Sequence, residues 1–138
     1  MRSEPILWDA GPLIALADAR DANHESCTSV LGALRGQPLT TEAVVTEAHY
    51  VLDHLPFAPL VLLNILQHAQ VGVPTLDMAM RVRMVELMDK YSDAPMDYGD
   101  ASLVALAEAV GTRRIFTLDR RHFLTYRLYD RESFQIVP

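Results

Sequence analysis

Apolar residues in this chain fall into short runs separated by segments of helical period, and that alternation is the first guide to its fold. Ile6-Leu7-Trp8 is a brief apolar run ending at Asp9, followed by the turn pair Gly11-Pro12 and an apolar Leu13–Leu16. This is the pattern of a buried strand feeding a helix. Asn23–Leu34 reads as a helix with Asn23 as its cap and Gly36 just past its end. Pro38-Leu39-Thr40 reads as a short strand, with Thr40 or Thr41 capping a helix that runs to about Leu55. Pro56 and Pro59 allow a new helix over Ala58–His68, and Val71–Thr75 reads as a third strand. Met80, Met84, Leu87, Met88 and Tyr91 recur at helical spacing, which predicts an amphipathic helix over Met78–Tyr91. An alanine-rich helix over Asp97–Val110 is stopped by Gly111, Ile115-Phe116-Thr117 forms a buried strand ending at Asp119, and Phe134–Val137 closes the chain as an edge strand. Short apolar strands alternating with helices predict an α/β fold of three layers, a central parallel sheet flanked by helices. In such folds the site lies outside the carboxyl ends of the strands, where this pattern delivers both Asp9 and Asp119.

Composition narrows the picture. The 138 residues suit one domain across 1–138, half of them hydrophobic and 22% charged, which is globular composition. No repeat or linker divides them. The single cysteine, Cys27, has no intrachain disulfide partner and reads as a helix residue rather than a reactive thiol. With no export signal in the mixed-charge start and no long apolar run, a cytoplasmic protein without a membrane span is expected. The net charge of −6 is unevenly spread. Residues 111–138 hold six arginines against three acids, leaving six basic against fifteen acidic residues in 1–110. An acidic chain is an unusual nucleic-acid binder, but carboxylates that share divalent ions shed part of that charge.

Four acids stand out. Asp9 and Asp119 end strands, Asp100 is in the first turn of the alanine-rich helix, and Glu47 is in mid-helix. Each has an ordinary explanation. Asp97 and Asp100, three apart, form a natural capping box, and a mid-helix glutamate usually faces water. Capping by Asp97 and metal binding by Asp100 are compatible. Taken together, the acids form an oxygen-only ligand set, with no histidine or cysteine motif, that suits Mg²⁺ or Mn²⁺ and not zinc. Five histidines, including His122, join no recognisable ligand motif.

The segments Asp9–Leu16, Thr40–Glu47, Met96–Leu103 and Ile115–Phe123 resemble, in order and spacing, the successive motifs of PIN-domain nucleases, specifically the VapC-type toxins of toxin–antitoxin pairs. The resemblance covers nearly the whole chain. It implies metal-dependent endoribonuclease activity on RNA, with Asp9, Glu47, Asp100 and Asp119 as catalytic acids. Asp9, Asp100, Asp119 and Asp97 would hold Mg²⁺ or Mn²⁺. It further implies a homodimer and a cognate antitoxin entering the acidic groove. Thr117 is expected to support a carboxylate, and Arg120, Arg121 and Arg127 to contact RNA phosphates. Two departures are visible: Ala10 where many relatives carry Thr or Ser, and Arg121 where many carry a further acid. The rival readings are a catalytically degenerate RNA- or protein-binding module and a magnesium-dependent phosphatase. Against a phosphatase, there is no D-x-D nucleophile motif; against a related receiver domain, the lone Lys90 lies in a mid-chain helix and not after a late strand.

Overall fold

The structure is a computed structural model describing residues 4–138; Met1–Ser3, at the mixed-charge start, lie outside them. The elements run β1 (Pro5–Trp8), α1 (Ala10–Ala17), α2 (His24–Ala33), β2 (Gln37–Leu39), α3 (Glu42–Val51), α4 (Ala58–His68), α5 (Met78–Lys90) and α6 (Tyr98–Val110). There follow β3 (Arg114–Phe116), α7 (Arg120–Thr125), β4 (Arg127–Leu128), β5 (Glu132–Ser133) and β6 (Gln135–Val137). The main sheet has the order β2-β1-β3-β6 with every pairing parallel, as the alternating pattern predicts. Its register sets Trp8 beside Phe116, so β1 and β3 end level and their following acids, Asp9 and Asp119, emerge on the same edge. Asp9 N–H extends the ladder to the Phe116 carbonyl at 3.0 Å.

Helices cover the sheet because its two central strands carry an apolar core segment. Ile6, Leu7, Trp8, Ile115 and Phe116 are all at most 1% exposed. Trp8 and Phe116 meet edge to face with centroids 5.5 Å apart, a favourable aromatic geometry. Helix α1 packs on α2, α3 and α4, while α6 packs on α3 and α5. Cys27 lies in a helix, α2, as expected, and is buried there. No helix among the described residues is long and apolar enough to cross a membrane.

Two expectations fail for local reasons, and one hairpin has no counterpart among the expected elements. Val71–Thr75 is not a strand. Only Gly72 bridges β2, exchanging hydrogen bonds of 2.9 Å with Pro38 and Thr40, and Pro74 lacks the N–H that a longer ladder needs. Helix α3 ends at Val51 instead of Leu55, giving way to turns in which Asp53 N–H bonds to the Tyr50 carbonyl and Leu55 N–H to the Leu52 carbonyl. The hairpin is β4–β5, whose turn puts Tyr129 and Asp130 at φ 52° and 62°. Hairpin turns favour such left-handed pairs, but usually as Asn-Gly or Asp-Gly, so Tyr-Asp gives no cue. Tertiary contacts hold it: Glu108 accepts from Tyr129 N–H at 2.7 Å and from Arg83 at 2.9 and 3.0 Å.

Candidate active site

Asp9 caps α1, its carboxylate accepting from Ala10 N–H at 2.8 Å. It is 9% exposed and takes a second hydrogen bond, 2.7 Å long, from the Thr117 hydroxyl. Thr117 Oγ1 also accepts from Asp119 N–H at 2.9 Å, so one hydroxyl bridges the two strand-end acids. Asp119 caps α7 by accepting from His122 N–H at 3.2 Å, and the His122 ring nitrogen Nδ1 is 2.8 Å from its carboxylate.

The other acids come from helices α3 and α6. Thr41 caps α3, as one of the two expected threonines, and its hydroxyl meets Ser102 Oγ at 2.7 Å in a buried contact. Ser102 in turn donates to the Gly99 carbonyl at 2.6 Å. This chain of hydroxyls locks the start of α3 to the start of α6. Gly99 then permits a close approach, since a Cβ there would stand 3.3 Å from Glu47 Oε1 and 3.5 Å from Asp97 Oδ1. The Asp97–Asp100 capping box is present in full: Asp97 accepts from Asp100 N–H at 2.8 Å, and Asp100 from Asp97 N–H at 3.4 Å. Asp100 also accepts from the Tyr126 hydroxyl at 3.1 Å.

Asp9, Glu47, Asp97, Asp100 and Asp119 thereby line one cavity of 490 Å³, whose walls include Gly11, Leu118 and His122. No lysine or arginine lines it. The consequence is visible in the acids themselves. Burial pushes Glu47 up to about 7, helped by the charges of Asp97 and Asp9 and a hydrogen bond with Asp97. Burial, then Asp97 and Asp9, pushes Asp100 up to about 7 against the opposing hydrogen bonds from Tyr126 and Asp97 N–H. Asp9 is raised by burial first, with Thr117 and Ala10 opposing and Asp119 and Asp97 adding to the shift. These are mutually repelling carboxylates without a compensating cation.

The acids are brought to one cavity but not into a closed ligand cluster. Among the described residues, no three Asp, Glu, His or Cys side chains are gathered to hold one ion. Asp9, Asp97, Asp100 and Asp119 are each held by donors of their own, while Glu47 meets Asp97. Even so, an oxygen-rich set with raised proton affinity and no internal counter-charge fits a hard divalent cation, which would displace those protons.

The expected phosphate contacts are placed differently. None of Arg120, Arg121 and Arg127 lines the cavity. Arg120 donates to the Pro138 carbonyl at 2.9 Å, and Arg127 Nη1 donates to the carbonyls of Leu124, Thr125 and Tyr126 at 2.7–3.2 Å. Arg121 is exposed. The sequence reading missed Tyr126, whose link to Asp100 spans 26 residues and leaves no local trace. It also missed Gly99, for which a glycine in the first helical turn between two acids was an available cue.

No protein-family model matches the sequence. Ribonuclease VapC26 of Mycobacterium tuberculosis is 28% identical over 140 residues, spanning 96% of this chain and 100% of that protein. The fold is also that of solved structures. VapC20 of the same organism, described as a sarcin–ricin loop cleaving toxin, superposes with a TM-score of 0.76 at 18% identity, over 85% of this chain and 92% of that one. VapBC2 from Rickettsia felis, solved on a DNA fragment from its promoter, gives 0.66 at 11% identity over 97% and 99%. In sequence the chain is similar to a VapC ribonuclease, and in fold to VapC toxin structures.

Against the VapC-type pattern, the two departures acquire structural meaning. Residue 10 contributes only its amide to Asp9, and the hydroxyl comes from Thr117 across the sheet. At position 121 no acid reaches the cavity, and the Asp119 carboxylate is paired instead with His122.

Proposed function

We propose that this chain is a metal-dependent endoribonuclease, the toxin of a toxin–antitoxin pair, acting in the cytoplasm. The observation that carries the reading is the convergence of five carboxylates, uncompensated by any basic side chain except His122, on the edge of the sheet where β1 and β3 end. Asp9, Asp97, Asp100 and Asp119 are the residues to hold Mg²⁺ or Mn²⁺, which when bound supplies charge neutralisation and Lewis-acid polarisation of a phosphodiester. Glu47, with its proton affinity near neutrality, is suited to take a proton from the attacking water. The water oxygen bonds to phosphorus, the bond from phosphorus to the 3′ oxygen breaks, and the products carry 5′-phosphate and 3′-hydroxyl ends. Tyr126 and Thr117 are positioning residues, fixing Asp100 and Asp9 through their hydroxyls.

The related VapBC2 assembly supports a cognate antitoxin as partner. A homodimer belongs to the same reading. The segment over Leu60–Leu66 divides into a buried Leu62 and exposed Leu60 and Leu63, and Tyr50 and Phe57 are exposed too, giving a second copy apolar surface to cover. Light scattering reads that mass directly.

The deciding experiment is cleavage of structured and unstructured RNAs by purified, antitoxin-free protein with Mn²⁺, Mg²⁺ or EDTA. Cleavage is expected with either metal and not with EDTA. If RNA is bound but survives with metal, the chain is a binding module instead; release of phosphate from small phosphomonoesters would favour the phosphatase. Thr117→Val, which keeps the side chain's shape but removes the hydroxyl, is expected to cut cleavage by about 10- to 100-fold. It should also cost about 1–3 kcal/mol in a thermal melt, since Asp119 N–H loses its partner. Unchanged activity in a folded Thr117→Val protein would remove Thr117 from the mechanism.

A further inference from the structure

The acidic cavity has a neighbour that shares two of its walls. Glu47 and Asp97 also line a hollow of 580 Å³, which continues between α3 and the extended segment Val73–Leu76 and is bounded by Arg81, Tyr98 and Gly99. Tyr98 is the first residue of α6, directly after Asp97, and 49% of it is exposed. Its hydroxyl accepts a hydrogen bond from Arg81 Nη1 at 3.4 Å. A half-exposed aromatic ring and a guanidinium thus stand together at the side of the carboxylate cluster.

Most arginines of the described chain are committed elsewhere; Arg20 and Arg121 share the freedom of Arg81 but line neither hollow. Arg83 is tied to Glu108, Glu86 and Asp130. Arg113, Arg114, Arg120 and Arg127 donate to backbone carbonyls. Arg81 makes no ion pair among the described residues and has the weak Tyr98 contact alone. It is also the one lysine or arginine among the residues lining either hollow. A polyanion approaching an acidic cavity on a chain of net charge −6 needs a cation beside it. Aromatic rings next to such a cation are the usual platform for an unstacked base.

We propose that this hollow is a nucleotide subsite, in which a base adjacent to the scissile phosphate stacks on Tyr98 while Arg81 pairs with its phosphate. The assignment rests on the ribonuclease reading and specifies its substrate as RNA with an unpaired nucleotide at the cut. Val73 and Pro74 give the base an apolar wall, and Thr46 and Thr75 bring polar side chains to the same hollow. A duplex, whose bases are stacked and paired, cannot use it.

The test is binding of a short labelled single-stranded RNA by fluorescence anisotropy, with Mn²⁺ present, alongside steady-state cleavage. Wild type, Tyr98→Phe, Tyr98→Ala and Arg81→Gln are compared. Tyr98→Phe should bind like wild type, because the ring is kept. Tyr98→Ala should weaken binding and raise KM by about 10- to 100-fold with kcat nearly unchanged. Arg81→Gln should weaken binding and flatten its salt dependence by roughly one phosphate contact, about 0.7 in the log–log slope. Those shifts without any cleavage by wild type would support the subsite and sink only the ribonuclease assignment. Cleavage by wild type with binding unchanged in Tyr98→Ala and Arg81→Gln would overturn the subsite and leave the ribonuclease assignment standing. The subsite also falls if wild type does not bind the RNA, or if Tyr98→Ala instead changes the oligomeric mass or weakens only antitoxin binding.

Discussion

Asp9→Asn and Asp100→Asn should each lose RNA cleavage by about three orders of magnitude or more, yet melt no lower than wild type in EDTA. The activity loss follows from removing a charged oxygen from a site whose electrostatic stabilisation is expected to supply several kcal/mol, with about 1.4 kcal/mol for each factor of ten. The stability expectation is less usual and follows from the site's own strain. Asp9 is nearly buried and repelled by Asp119 and Asp97, so its charge is held at a cost. Asparagine caps a helix as well as aspartate does, can still pair with Ala10 N–H and Thr117, and carries no charge to repel. Asp100→Asn keeps an acceptor for the Tyr126 hydroxyl and relieves the same crowding. Cleavage and thermal melting of the same preparations settle the matter. A folded Asp9→Asn protein that still cleaves at wild-type rate would remove the proposed site, and a sharply lower melting temperature would show the carboxylate to be structural.

The second large effect is a dependence of stability on pH and metal. Glu47 and Asp100 have ordinary values of 4.5 and 3.8, and both lie at about 7 in the folded protein. Between those limits the folded state keeps protons that the unfolded chain releases. Stability from this site is therefore full below pH 4, falls as pH rises through about 4 to 7, and levels off above. In EDTA the melting temperature should decline over that window, and Glu47→Gln should remove part of the decline. Asp130 works in the opposite sense: Lys90 and Arg83 lower it below 3.8, so its contribution is lost only under stronger acid, outside the window. A divalent cation competes with the site's protons, so Mn²⁺ should stabilise the protein much more at pH 8 than at pH 5.5. At roughly a hundred-fold excess over Kd the gain is about 2.7 kcal/mol. A melting temperature indifferent to both pH and Mn²⁺ would mean that the acids are neither crowded nor metal-binding.

These two expectations draw on different kinds of information. That Asp9 and Asp119 close apolar strand segments, and that Asp97 caps a helix with Asp100 three residues on, is visible in the order of residues alone. That Asp9, Glu47 and Asp100 are driven toward neutrality depends on burial, and for Asp9 and Glu47 on charges between 38 and 110 positions away, such as Asp97 beside Glu47 or Asp119 beside Asp9. The arginines make the contrast sharper. Their place around the last acidic motif suggested phosphate contacts for Arg120, Arg121 and Arg127, but two of those side chains are spent on backbone carbonyls. Arg81, which sits in an unremarkable amphipathic helix, is the one beside the site.

By itself the sequence determined the α/β class, the limits of α4, a threonine cap at 40 or 41 for α3 and the Asp97 cap of α6, and it singled out the carboxylates as candidates. Hydrophobic period, proline placement and helix capping act over a few residues, so they are written locally. Only the tertiary structure decided that Val71–Thr75 contributes a single bridge, that Tyr129-Asp130 turns a hairpin, and that Thr117 and Tyr126 hold Asp9 and Asp100. It alone placed Tyr98 and Arg81 beside the acids. Each of those outcomes depends on which distant elements pack together, and packing is settled by burial summed over the whole chain, which no short stretch of sequence records.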